Sequence, residues 1–245
     1  MNPYRRDFYA RQAEWHGYRD PQDVESRHAL RVSCYAWYTK DWLPRDKEAR
    51  CLDIGCGAGQ FCYFLREKGF KRVIGVDVDA RQVELGRSLD LDLHACDVNE
   101  YLSREKQAFD LISVLDVLEH MSLEETHGFM RLVGERLNDG GRLIVSVPNA
   151  ESPSGCEARY SDITHEIAFS PTSLEELLFC HGMRVLSLRD PFPAPVTPMR
   201  SLYRSISFCA RAIEAMRLRL LGLRPPTVWS PVFWCLAGKG LGLKM

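Results

Sequence analysis

Ala49-Arg50-Cys51-Leu52-Asp53-Ile54-Gly55-Cys56-Gly57-Ala58-Gly59-Gln60 carries an apolar strand into an acid and then into a glycine-spaced turn. Glycine accepts left-handed dihedrals and lets a ligand come close where a Cβ would block it. The spacing predicts a helix over about residues 60–68, whose unpaired N–H groups and positive dipole end face whatever occupies the turn. The turn is therefore a nucleotide cradle.

Its spacing narrows the ligand. A dinucleotide fingerprint reads G-x-G-x-x-G and sets the helix dipole against a pyrophosphate. Here the glycines run G-x-G-x-G, and the carboxylate of Asp53 stands two residues upstream. That charge repels a pyrophosphate and suits a cation. S-adenosylmethionine, with an ammonium, a sulfonium and a carboxylate that can meet backbone N–H groups, satisfies both demands. A second strand, Arg72-Val73-Ile74-Gly75-Val76-Asp77, ends in an acid where nucleotide folds place the acceptor for the ribose diol. The alternative is that Asp77 or Asp79 merely caps the helix beginning at Ala80.

Three further stretches follow in order: Gly75-Val76-Asp77-Val78-Asp79, then Phe109 through His120, then Gly140-Gly141-Arg142-Leu143-Ile144-Val145-Ser146-Val147-Pro148-Asn149. With the glycine loop they resemble the ordered motifs of class I S-adenosylmethionine-dependent methyltransferases, over about residues 48–190. The resemblance implies an α/β, Rossmann-like seven-stranded sheet ordered 3-2-1-4-5-7-6 with its last strand antiparallel. It also implies that Asp53, Gly55, Cys56, Gly57, Gly59 and Gln60 wrap the methionine moiety. Asp77 would hold the ribose with Val78 beside it, Asp97 and Val98 would meet the adenine edge, and Leu115 would lie under the cofactor. Cys56 takes a position where the family accepts a small residue, so packing alone also explains it.

Composition agrees with one catalytic domain. A chain of 245 residues with 45% apolar content can bury a full core. A formal net charge of −1 gives no signal for a dedicated nucleic-acid binder, although local basic patches remain open. The nine cysteines form no C-x-x-C pair, and Arg5-Arg6-Asp7 interrupts any secretory hydrophobic run, so they read as small buried hydrophobes in a reducing cytoplasm. No apolar stretch approaches the ~20 residues a bilayer-spanning helix needs.

Strands are expected near 50–54, 72–77, 91–95, 109–114, 141–147, 183–189 and 231–237, and helices near 60–68, 80–88, 122–137 and 171–181, an alternation that makes a parallel sheet covered on both faces. Ligands of such sheets bind at the carboxyl ends of the strands, beside the first one. Residues 1–46 form a helical arm rich in Tyr4, Phe8, Tyr9, Trp15, Tyr18, Tyr35, Trp37, Tyr38 and Trp42. The arm either covers the cofactor as a lid or plugs a sheet edge. The rest, 47–245, is the methyltransferase domain, with an insertion at 191–227 between the last two strands.

Within the insertion, Met199 to Met216 reads as an amphipathic helix. Leu202, Ile206, Cys209, Ile213, Met216 and Leu220 make one stripe and Arg200, Arg204 and Arg211 lie opposite, with Glu214 the one acid up to Arg224. Such a helix can contact an acidic membrane surface through 199–224, which would place the protein at the inner face of the membrane. It can equally pack on its own domain or on a second copy in a homo-oligomer.

Two elements bear on catalysis. Asp116, Glu119 and His120 stand at i, i+3 and i+4 after a strand, on one side of a helical turn. His165 lies in the polar loop Tyr160 to Pro171, on the same rim of the sheet. The pattern T-H-E-x-x-F-S-P-x-S-L-x-x-L-L from Thr164 resembles methyltransferases encoded with bacterial glycan and lipopolysaccharide assembly enzymes. The acidic-x-x-Glu-His element resembles the magnesium site of ubiquinone-pathway O-methyltransferases and small-RNA 2′-O-methyltransferases, with Asp116 one methylene short of the usual glutamate. These resemblances imply either a magnesium-type site of Asp116, Glu119, His120 and His165, or a metal-free general base at His120 or His165. A third reading leaves the acids as cofactor contacts or caps and His120 as packing.

The resulting expectation is S-adenosylmethionine-dependent O-methylation of a sugar or glycan hydroxyl. The alternative acceptor is a phenol or catechol of the quinone-pathway kind, and a third reading is an inactive cofactor-binding partner protein. His16, His28, His94, His127 and His181 are expected to be surface or packing residues.

Overall fold

The computed structural model describes residues 8–240 apart from 10, 16 and 19, with no side chain described at 12 and 13. Tyr4, Arg5, Arg6, Asp7 and His16 therefore lie outside the described residues. The elements are α1 (Gln12–Trp15), α2 (Pro21–Tyr38), β1 (Arg50–Ile54), α3 (Gln60–Glu67), β2 (Arg72–Asp77), α4 (Ala80–Arg87), β3 (Leu93–Ala95) and α5 (Val98–Arg104). They continue with β4 (Phe109–Leu115), a 3₁₀ turn (Leu118–His120), α6 (Leu123–Arg136), β5 (Leu137–Pro148), α7 (Gly155–Tyr160), α8 (Pro171–Cys180), β6 (Met183–Arg189), α9 (Pro198–Leu220) and β7 (Val232–Lys239).

One seven-stranded sheet has the order β3-β2-β1-β4-β5-β7-β6. The pairs from β3 to β5 are parallel, and β7 runs antiparallel between β5 and β6. Central strands are buried on both faces, so their side chains alternate between two apolar layers. Leu52, Ile112, Val114 and Val145 point to the layer that holds Phe129 and Val133 of α6 and Leu174 of α8. Cys51, Leu111 and Ile144 point to the other, against Tyr35 and Tyr38 of α2 and Phe61 and Phe64 of α3. Fully burying one such side chain is worth about 1.5–3 kcal/mol.

Helix starts follow local chemistry. Asp79, Asp97 and Ser122 accept hydrogen bonds from the first-turn N–H groups of α4, α5 and α6, and Ser122 with Glu125 completes a capping box. Asp20, Thr197 and Ser170 cap α2, α9 and α8, each followed by proline at the first helical position. The end of α2 is fastened to the sheet by two strand arginines. Arg189 of β6 donates to the carbonyls of Trp37 (2.8 Å), Tyr38 (2.9 Å) and Lys40 (3.0 Å). Arg142 of β5 donates to those of Trp42 (2.7 Å) and Leu43 (3.0 Å).

Among the described residues no helix is long and apolar enough to cross a membrane. The short helices α5 and α7 were not expected from periodicity. α9 extends about a turn beyond the expected Met199–Met216 helix, to the end of its apolar stripe, and its orientation is treated below.

Candidate active site

A cavity of about 500 Å³ opens at the carboxyl ends of β1, β2 and β4, a volume within the usual range of small-molecule sites. Its floor is the loop after β1. Gly55, Gly57 and Gly59 have φ of 69°, 53° and 80°, the left-handed region. A Cβ on Gly55 would lie 2.3 Å from Val117 Cγ2, and one on Gly57 2.9 Å from Gln82 Oε1. Both neighbours line the cavity, so only glycine keeps the loop this close to them. Gly59 begins α3 with no side-chain acceptor for the first-turn N–H groups.

The two strand-end acids behave differently. Asp77 accepts from Gly57 N–H and Asp79 N–H, each at 2.8 Å, so its carboxyl ties the glycine loop to the end of β2. Burial raises its pKa against those backbone donors. The cap of α4 is Asp79, while Asp77 lines the cavity. Asp53 was expected as a carboxylate turned toward a cation. It borders the cavity but is buried, accepting from Ser113 Oγ at 2.6 Å and from the Cys62 thiol at 3.7 Å. Burial outweighs those donors and pushes its pKa up to about 7, so its charge is not fixed at neutral pH.

Cys56, Gln60, Val78, Val98 and Leu115 border the same cavity. Gly59 and Asp97 do not: Gly59 packs toward Leu91 and Leu93, and Asp97 is occupied as the cap of α5. At that position sequence reasoning also passed over Cys96 and Asn99, which are lining residues.

The rim opposite the loop is made by β4 and the segment after α7. Asp116 has a φ of 55°, a conformation that costs a non-glycine residue about 1 kcal/mol or more. It is held there by its N–H to the Ser146 carbonyl (3.0 Å) and by the Ser146 hydroxyl donating to its Oδ1 (2.7 Å). Crowding by the cavity walls raises its pKa, with Ser146, Arg31 and His165 opposing. Glu119, His120 and His165 bring one ligand atom each within 4.8 Å of one another, and Asp116 is not in that group. The expected four-ligand metal set is thus three ligands, with Asp116 committed to Ser146. Glu119 is buried, its Oε2 has no hydrogen-bond partner, and burial together with Asp116 holds its pKa well above the carboxylate range.

The hydrogen bonds around the histidines decide their tautomers. Thr164 donates its only hydroxyl proton to Asp162 Oδ1 at 2.6 Å, so at 2.8 Å it accepts from His120 Nδ1–H. His165 Nδ1 lies 3.1 Å from the Arg159 carbonyl, which can only accept. Both imidazoles, when neutral, therefore carry their lone pair on Nε2. The two rings meet edge to face at 4.7 Å. Burial opposes ionisation of Asp162, but the Thr164 donors and the two histidines hold its pKa below the usual range.

The arm supplies residues that motif reading missed. Tyr9, Tyr18, Arg31 and Tyr35 line the cavity. Gln60 joins two of them, donating to Tyr18 Oη at 2.6 Å and accepting from Tyr35 Oη at 3.3 Å. Arg31 and Tyr35 are i and i+4 on α2, a spacing that was visible but carried no chemical label. His28 is fully buried, and burial lowers its pKa; its Nε2–H donates to the Ala58 carbonyl at 2.8 Å, which makes it packing for the loop. His127 packs on His181 (ring centroids 4.7 Å apart), and His94 lies 3.1 Å from Asp92.

A family model described as a methyltransferase domain matches residues 27–188, from inside the arm to the end of β6. The chain belongs to this methyltransferase family. The methyltransferase chain is 31% identical over 141 residues to the ubiquinone biosynthesis O-methyltransferase of Methylocella silvestris, covering 52% of this chain and 50% of that protein. It is 34% identical over 113 residues to the protein of the same name from Brucella melitensis, covering 43% and 44%. It thus spans about half the length of these curated relatives or less. In fold it is similar to a SAM-dependent methyltransferase from Archaeoglobus fulgidus (TM-score 0.61, 20% identity, 88% and 94% covered). A second such structure, from Mesorhizobium loti, has a TM-score of 0.56 at 17% identity, with 85% and 98% covered.

Proposed function

We propose that this methyltransferase moves a methyl group from S-adenosylmethionine to a hydroxyl oxygen of a small molecule. The observation that carries the reading is a pair of imidazoles, each directing Nε2 as its basic atom, on the rim of the cavity floored by the glycine loop. The loop fits the donor: the absence of side chains lets its backbone lie close against Val117 and Gln82 on the cavity floor, and Asp77 stands beside it. Residues Gly55 to Ala58 and Gln60 would hold the methionine end, Asp77 the ribose hydroxyls, Val78 and Val98 the adenine, and Leu115 the underside. When bound, the donor supplies an electrophilic methyl on a positively charged sulfur.

The protein then has to orient the acceptor and take its proton. His120 is the base this arrangement favours, since the Asp162–Thr164 pair fixes its tautomer and an anionic Asp162 favours the imidazolium formed by proton uptake. Tyr9, beside His120 with ring centroids 6.0 Å apart, and Met121 would flank the acceptor.

The relatives' shared name favours a phenolic acceptor of the quinone-pathway kind over the sugar hydroxyl preferred from the loop motif. Methyl transfer from labelled donor to a panel of catechols, phenols, nucleotide sugars and lipid-linked glycans tests this. Turnover confined to phenolic compounds supports the reading; turnover confined to glycans restores the first expectation, and none with any hydroxyl overturns O-methylation. One observation favours a cation at the rim: the unpartnered Glu119 oxygen beside two imidazole lone pairs is a donor set that suits a divalent ion. Glu119, His120 and His165 would hold such an ion, which would supply a Lewis acid for the hydroxyl. Full activity after exhaustive chelation would remove the cation and leave the base.

A further inference from the structure

Helix α9 faces the opposite way from an ordinary surface helix. An amphipathic helix of a soluble domain turns its apolar stripe to the core and its charges to water. No residue of α9 is buried. Leu202, Ile206, Ile213 and Leu220 are 53%, 57%, 67% and 83% exposed, and Met199 and Tyr203 extend the same stripe. Two guanidinium groups, those of Arg204 and Arg211, point inward. Arg204 donates to the carbonyls of Pro193 (3.0 Å) and Asp190 (3.3 Å), and Arg211 pairs with Asp190 at 2.5 Å and donates to the Phe192 carbonyl at 3.1 Å. The helix is fastened by its polar side and presents its apolar side outward. A contiguous apolar strip of this kind marks an interaction surface.

Charge selects the occupant. Between Arg200 and Arg224 stand six arginines and one acid, Glu214. Arg211 is neutralised by Asp190 and Arg217 pairs with Glu214, which leaves the segment strongly positive toward its C-terminal end, where Arg219 and Arg224 lie. A second copy on this stripe would bring two such positive helices together. An acidic bilayer accepts both the stripe and the charge. At 1.5 Å per residue the 23 residues of α9 extend roughly 35 Å, enough to lie along a membrane surface as an in-plane element. The first turns of α9 also touch α2: Arg200 reaches Cys34 Sγ (3.5 Å) and Arg204 covers the Trp37 ring (5.3 Å). Another flank of α2 walls the cavity through Arg31 and Tyr35.

We infer that α9 is a membrane-docking helix, lying in the headgroup layer of an anionic bilayer with Leu202, Ile206, Ile213 and Leu220 inserted. The opposite, fastened side of the helix touches α2, whose other flank walls the cavity, so docking would bring the active site close to the bilayer and suits an acceptor drawn from it. The docking itself does not rest on the proposed chemistry, and its test needs no turnover. Flotation with vesicles of phosphatidylcholine alone, or mixed with phosphatidylglycerol, reads it directly. Wild type should float with the anionic vesicles, roughly tenfold or more better than with the neutral ones, and added salt should weaken this. The double variant Ile206→Ser/Ile213→Ser and the charge reversal Arg217→Glu/Arg219→Glu should each stay with the lipid-free fraction while keeping the wild-type melting temperature and S-adenosylhomocysteine affinity. Wild type that ignores both vesicle types overturns the inference. So does a dimer in sedimentation that Ile206→Ser/Ile213→Ser splits, without vesicle binding, since the second copy would then own the stripe.

Discussion

The glycine loop between β1 and α3 and the insertion helix α9 were both legible as patterns, yet the structure treats them in opposite ways. The loop is closed on itself: the Gly55 and Cys56 N–H groups donate to the Val76 carbonyl, Gly57 N–H donates to Asp77, and a Cβ at Gly55 meets Val117. These contacts hold the backbone of the loop, so the residue types dictate the conformation. α9 has fixed neighbours on its polar side alone. A backbone motif specifies its own surroundings, whereas an amphipathic period specifies two faces and leaves open which one the domain claims.

That contrast predicts a gradient of mutational effects. The largest belongs to the cavity rim. His120→Ala should lower turnover by about 10²–10⁴-fold while leaving S-adenosylhomocysteine affinity unchanged, as steady-state rates and calorimetry would show. His165→Ala separates the two histidines: an equal loss makes them joint participants, and full activity would restrict the role to His120. Next comes the loop. Asp77→Ala removes the acceptor of the Gly57 and Asp79 N–H groups and, on the proposed reading, that of the ribose; at ~1.5–3 kcal/mol per charge-assisted bond the calorimetric affinity should fall roughly 10–100-fold. A loss below threefold would break the comparison, because the loop would then hold the donor without its anchor.

A smaller effect should appear in stability against pH. The Asp53 pKa is raised to about 7 in the folded protein from an ordinary value near ~3.9. Protonation is favoured in the folded state, so its contribution is complete below about pH 4 and is lost as pH rises through about 7. Denaturant midpoints of the ligand-free protein should carry a declining component over that window, and Asp53→Asn should flatten it. The smallest effect belongs to α9: Ile213→Ser should change unfolding free energy by less than about 0.5 kcal/mol, against about 2–5 kcal/mol for Ile112→Ala in the core. A comparable loss at both positions would mean that the stripe is packed after all.

The strands and the cavity floor could be read because buried parallel strands are short apolar runs and the glycine spacing has few solutions; the order of the strands came through the family resemblance. The last two strands were expected near 183–189 and 231–237, against 183–189 and 232–239 observed, without their pairing, which came through the same resemblance. The candidate site was legible only where one motif holds all the parts. Asp116, Glu119 and His120 announced themselves by spacing, but spacing could not show that Asp116 lies outside the group formed by Glu119, His120 and His165 and accepts from Ser146, thirty residues on in β5. Nor could it show that Asp162 and Thr164 set the His120 tautomer, since those hydrogen bonds depend on how the 161–166 segment folds back to the rim. Arg31 was given no role because a helix contributes it singly, with no local pattern of its own, and Tyr35 stood out only as one of the arm's many aromatics. Asp97, expected at the adenine edge, caps α5 through its Oδ1 and lies outside the cavity lining.

The clamp of Arg142 and Arg189 on the carbonyls of residues 37 to 43 sets where the arm can give way. Five guanidinium contacts nail down the downstream end of α2, while Tyr9 and Tyr18 meet the cavity from upstream of it. The arm is therefore hung like a door on β5 and β6, and its leading edge, which borders the cavity, lies away from that jamb.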